Sequence, residues 1–165
     1  MVVSATVQSR DLAALLRATR GLENGRALRS QLRKDLRGSV KPAIPAIRSA
    51  VKATPSRGES RRRGRPGLRK SVAKATRLQV TGRNNFVGVT VRVDPKKMPP
   101  GMHNLPAYLE GAPPFQRWRS PNFGRDDYKQ QPAHPYFYRT MARYEPAVQR
   151  AIADAADTIQ RALNE

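Results

Sequence analysis

The chain contains no cysteine, which excludes disulfides and thiolate-ligated metal sites. Acidic side chains are scarce, 12 against 32 lysines and arginines, for a formal net charge of +20. Aromatics supply 6% of the 165 residues, so few large side chains are available to anchor a core. No apolar run approaches the ~20 residues needed to span a bilayer. The opening segment, residues 2–7 (VVSATV), is too short for the apolar part of a secretory leader and has no basic stretch before it. These absences predict a soluble chain, made or assembled inside a cell.

Catalytic groupings are equally sparse. The two histidines, His103 and His134, stand far apart in proline-rich sequence. Without cysteine a zinc site would need both of them plus carboxylates, and local hydrogen bonding is the simpler expectation. The adjacent Asp126 and Asp127 read as a solvated turn rather than an acid/base pair. No GxSxG or HExxH pattern occurs, and Gly64-Arg65-Pro66-Gly67 lacks both the preceding strand and the closing Lys-Ser/Thr of a phosphate-binding loop. No enzyme, cofactor or metal is expected.

What the chain does have is positive charge, unevenly placed. Residues 1–80 carry 20 basic and 4 acidic side chains, residues 81–165 carry 12 and 8. Such an excess opposes compaction and points to a polyanionic partner or an acidic protein neighbour. The 14 prolines and 11 glycines require long irregular stretches.

Residues 2–8 are rich in β-branched side chains and predict a short strand. Leu12, Leu15, Leu16 and Leu22 predict a helix with Ser9 as its N-cap, interrupted at Gly21 and Gly25. Leu28, Leu32, Leu36, Val40, Ile44, Ile47 and Val51 recur every three or four residues, opposite Arg26, Arg29, Arg33, Lys34, Arg37, Lys41, Arg48 and Lys52. The spacing predicts one basic amphipathic helix, kinked near Gly38–Pro42 and ended by Thr54-Pro55. Residues 55–67 contain no apolar side chain and read as a flexible basic loop. A strand is expected between Leu68 and Val80, a turn at Asn84-Asn85, and a second strand at 86–93 with Val87, Val89, Val91 and Val93 on one face, together an antiparallel hairpin. Residues 94–135 predict a long interaction loop, broken only by the apolar piece Leu105–Leu109. Met141, Val148, Ile152, Ala155, Ile159 and Leu163 predict a C-terminal amphipathic helix, with Pro146 near its start. The reading is α+β: one domain over 1–165, helices toward both ends and a small antiparallel sheet between.

The interaction residues expected from composition fall in the two loops. Arg61, Arg62, Arg63 and Arg65 form a basic cluster suited to phosphates or to an acidic neighbour. Tyr108, Phe115, Arg117, Trp118, Arg119 and Phe123 are of the types enriched at protein interfaces. Pro135 is expected to fix entry into the last helix, and Tyr136 and Phe137 to anchor it on the sheet. Glu110, one of few acids, is expected to pair with an arginine of its own or a neighbouring subunit. Gly111 is expected to supply a turn with positive φ.

Four short motifs then stand in a telling order. Ala53-Thr54-Pro55 ends the basic helix, and Gly67-Leu68-Arg69-Lys70-Ser71-Val72 precedes the hairpin. Ala107-Tyr108-Leu109-Glu110-Gly111 and Pro132-Ala133-His134-Pro135-Tyr136-Phe137 lead into the final helix. Over about residues 10–163 this resembles the tail-completion or neck (head–tail joining, minor tail) family of siphophages. The chain departs from the family in a shorter Tyr108–Glu110 spacing, in Ala112 where the family has Thr, and in a longer insert at 113–130. The resemblance implies a virion protein, made in the host cytoplasm, whose copies form a hexameric ring. That ring would join the head connector or stopper to the tail tube or terminator and leave a channel for packaged DNA. The charge alone also suits a different protein, a histone-like or ribosomal binder of nucleic acid without sequence preference. A toxin or nuclease fragment using His103 and His134 is a third expectation.

Overall fold

The structure is a computed structural model that describes residues 2–55, 67–83, 86–111, 117–121 and 128–164. It is α+β. Strand β1 (Ser4–Ser9) runs directly into helix α1 (Arg10–Ala18), and a 3-10 turn (Thr19–Gly21) leads to α2 (Gly25–Val40). The tight corner needs glycine at 25, because a Cβ there would overlap the Thr19 carbonyl. Arg29 Nη1 donates to the Thr19 hydroxyl at 3.2 Å and braces the same corner.

The leucine stripe becomes two helices, α2 and α3 (Ala43–Ala53), rather than one unbroken rod. Pro42 and Pro45 have no N–H to offer the carbonyls four residues back. The Lys41 carbonyl, which Pro45 cannot reach, accepts instead from Ile44 N at 3.2 Å. Lys41 and Pro42 nevertheless keep right-handed helical dihedrals, so the interruption between the two helices is a local break in the hydrogen-bond ladder. Thr54 turns to ψ 137° before Pro55 and ends α3 as expected.

The strand expected between Leu68 and Val80 is shorter than that. Residues 68–75 form helix α4 (Leu68–Ala75), and strand β2 (Thr76–Arg83) starts only after it. Leu68, Val72 and Ala75 have helical spacing, and the intervening Arg, Lys and Ala favour a helix; Val72 and Ala75 are fully buried. β2 pairs with β3 (Phe86–Val93) from Thr76↔Val93 to Arg83↔Phe86, as a hairpin requires, and Asn84-Asn85 lie outside the described residues. β1 adds antiparallel to the other edge of β3, giving the order β1-β3-β2. Val89, Val91 and Val93 are buried on one face, while Thr6 and Thr90 bond through their hydroxyls at 3.0 Å on the other.

The described residues of the 94–135 stretch include regular elements as well as loop. They hold a 3-10 turn (Pro95–Lys97) capped by Asp94, helix α5 (Leu105–Glu110), and an antiparallel pair, β4 (Arg117–Pro121) with β5 (Tyr128–Pro132). Asn104 and Pro106 occupy favourable starting positions for α5, and Gly111 closes it at φ 73°, the positive value expected there. The C-terminal segment divides into α6 (Tyr138–Ala142) and α7 (Glu145–Asn164), with Pro146 in the first turn of α7. α7 packs along α1 and α2, α6 packs on α3, and α2 and α3 cover the sheet. One apolar cluster unites Leu12, Leu36, Ile47, Val91, Phe137, Val148 and Ile159. No described helix is long and apolar enough to cross a membrane.

Candidate assembly site

The four motifs meet in pairs, and a charged side chain joins each pair by gripping backbone. The first pair lies at the end of α3. A helix leaves its last carbonyls without partners. Arg69, in the first turn of α4, donates from Nη1 to the Lys52 carbonyl at 3.0 Å and to the Thr54 carbonyl at 2.7 Å. Thr54 Oγ1 also donates to the Val51 carbonyl at 2.7 Å. The chain therefore departs after Pro55 and returns at Gly67 with both ends tied to one point.

The second pair lies between α5 and α6. Glu110 is 5% exposed, and its carboxylate accepts three backbone N–H groups: Oε2 from Tyr136 at 2.9 Å and Phe137 at 2.7 Å, and Oε1 from Tyr138 at 2.9 Å. These donors stand at the start of α6, where N–H groups have no intrahelical acceptor and the N-cap residue Phe137 provides none. Glu110 is thus a capping carboxylate supplied from 26 to 28 residues upstream. Bonds to a charged acceptor are worth about 1.5–3 kcal/mol each, enough together to offset burying the charge. One residue earlier, the Leu109 carbonyl accepts from His134 N at 2.8 Å. The excursion carrying β4 and β5 is closed at its base by four hydrogen bonds.

Glu110 is expected from the sequence to pair with an arginine of its own or a neighbouring subunit; among the described residues its buried carboxylate instead accepts three backbone donors and holds its own chain together. Tyr136 and Phe137 are buried as anchors, 2% and 0% exposed, and Phe137 meets Tyr136 and Tyr138 edge-on at 6.4 and 5.4 Å. The Tyr136 hydroxyl is buried without a hydrogen-bond partner among the described residues, and burial, with the nearby Glu110 and Tyr138, pushes its pKa far above the usual tyrosine value. Pro135 is exposed at the entry, and Tyr108 is half-buried on α5. Arg117, Trp118 and Arg119 lie on β4, paired with Pro132, Gln131 and Gln130. Arg61, Arg62, Arg63, Arg65, Phe115 and Phe123, like Asp126 and Asp127, lie outside the described residues. His103 Nδ1 stands 2.9 Å from the Pro95 carbonyl, a local contact. Among the described residues no group of three or more His, Asp or Glu could hold a metal.

Sequence reasoning gave Arg69 no role. One arginine among 32 basic residues carries no distinguishing signal, and only its place inside the Gly67–Val72 motif could have marked it. What the site offers chemically is presentation: two excursions, residues 56–66 and 112–132, each held by a charged side chain at its root. No family model, curated protein or solved structure matches the chain.

Proposed function

We propose that the chain is a structural, non-enzymatic subunit of a long-tailed bacteriophage. Its copies assemble as a ring at the head–tail interface, joining the head connector to the tail tube and leaving a channel for DNA. The observation that carries this reading is the Glu110 cap on residues 136–138. It gives a physical reason for the order of the motifs that resemble the neck family, because the glutamate of one motif closes the backbone of the next. Arg69 does the same for the earlier pair. Loops rooted on rigid bases suit contacts that order on meeting a neighbouring subunit. In this reading the arm at 112–132 reaches an adjacent copy or a tail protein, and the basic excursion at 56–66 is the second contact element.

Cryo-electron microscopy of the particles that carry this chain tests the proposal. The expected result is a ring of copies at the joint, with residues 112–132 against neighbours. Particles with joined tails that lack the chain would overturn it.

A further inference from the structure

Charge on α2 is segregated. Arg26, Arg33, Lys34, Arg37 and Lys41 fall within an arc of roughly 100° around the helix axis, and all five are exposed. Lys52 is exposed on α3 beyond the proline break. None of these six has a hydrogen bond or ion pair from its side chain among the described residues. The acid of α2, Asp35, lies on another side, lining a groove against α7 together with Asp154. Among the described residues the face therefore presents cations without intramolecular counterions.

We infer that this α2–α3 face binds the phosphate backbone of duplex DNA without sequence preference. Three features favour duplex over an acidic protein or a single strand. Arg33, Arg37 and Lys41 repeat every four residues, a rise of about 6 Å, close to the rise along the duplex axis over two phosphate steps of one strand, about 7 Å. The exposed arc holds Ser30 between its cations and no large apolar side chain, whereas the core of a protein interface is depleted in charge and anchored by apolar groups. It also has no aromatic on which unpaired bases could stack. Binding by this face is independent of where the protein resides, so it can fail while the neck proposal stands, and the reverse.

The test is fluorescence anisotropy of the full chain with a labelled duplex of arbitrary sequence, over a salt series. Arg33→Ala/Arg37→Ala/Lys41→Ala is compared with the control Arg139→Ala/Arg143→Ala/Arg150→Ala, which removes the same charge from exposed positions of α6 and α7 and the segment between them. Circular dichroism melting establishes that each variant is folded. The α2 variant is expected to bind at least tenfold more weakly, with the slope of log affinity against log salt smaller by roughly 2.7, about 0.9 per lost contact. The control should stay within about twofold of the parent. Arg33→Lys/Arg37→Lys should retain binding, since a point charge suffices for a phosphate. Equal losses in the two alanine variants, or binding of polyglutamate as tight as that of the duplex, would overturn the inference and in the second case favour an acidic protein partner.

Discussion

At the scale of single residues, Glu110 and Tyr136 make opposite demands on one small volume. Glu110 holds three backbone donors, so removing it strands buried N–H groups. Glu110→Ala is expected to cost roughly 3 kcal/mol, read as a lower urea midpoint with an unchanged slope. Glu110→Gln should recover only part of this, because its NH2 group presents a donor to donors. Tyr136 is the reverse case: its hydroxyl is buried and has no hydrogen-bond partner among the described residues. Tyr136→Phe is expected to be neutral or stabilising by about 1 kcal/mol at neutral pH. The two chains should then diverge in alkali. Unfolded tyrosine releases its proton near pH 10.0, while the folded residue retains it because of burial, with Glu110 and Tyr138 adding to the effect. The folded state then binds more protons than the unfolded one. The parent's stability is therefore full below pH 10 and falls as pH rises, by up to about 1.4 kcal/mol per unit. Tyr136→Phe should lack that component, which unfolding curves between neutral pH and pH 11 would reveal.

At the scale of elements, the junction of α3 and α4 depends on one guanidinium nitrogen that donates to two carbonyls. Arg69→Lys keeps the charge, but its ammonium is more strongly hydrated and sits on a shorter stem than the nitrogen it replaces. Both Arg69→Lys and Arg69→Ala are expected to destabilise by about 1–2 kcal/mol, with faster hydrogen exchange in the last turn of α3 as the local readout. The same elements show what the sequence made legible. Apolar residues at spacings of three and four placed α1, α2, α3 and α7, and strict alternation at 87–93 placed β3. The proline break was visible because a missing N–H is a chemical fact of the residue. Residues 68–75 were misread because Val72, Leu78 and Val80 suggest alternation if Leu68 and Ala75 are ignored, although the helical spacing was there to count. β4 and β5 escaped because their residues, Arg-Trp-Arg-Ser-Pro and Tyr-Lys-Gln-Gln-Pro, have no apolar alternation and depend on each other for pairing. Of the candidate site, the importance of Glu110 and of Tyr136-Phe137 was readable, but their contact was not. Nothing local in Glu110 indicates that its partners are backbone groups 26 to 28 residues away.

At the scale of the whole molecule, each excursion is joined to the core by hydrogen bonds at its root. Among the described residues, the apolar cluster draws on α1 to α7 and on the three-stranded sheet. Replacing residues 113–131 by a short Gly-Ser linker is expected to shift the melting temperature by no more than a few degrees, because the Glu110 cap and the Leu109–His134 bond lie outside the replaced segment. In the proposed ring the same change should abolish joining of heads to tails, scored by infectivity and by free tails in micrographs. A folded, shortened chain that still yields joined particles would remove the arm from the assembly reading. The closed roots have a further consequence for how such a chain can change over generations. Entropy of closure rises only slowly with length, by about 0.6 kcal/mol per doubling, so a root secured by charge-assisted bonds tolerates arms of very different size. Insertions and deletions can therefore accumulate at 56–66 and 112–132 while the sequence at the roots stays constrained, allowing one scaffold to adapt to many neighbours by exchanging what it holds out.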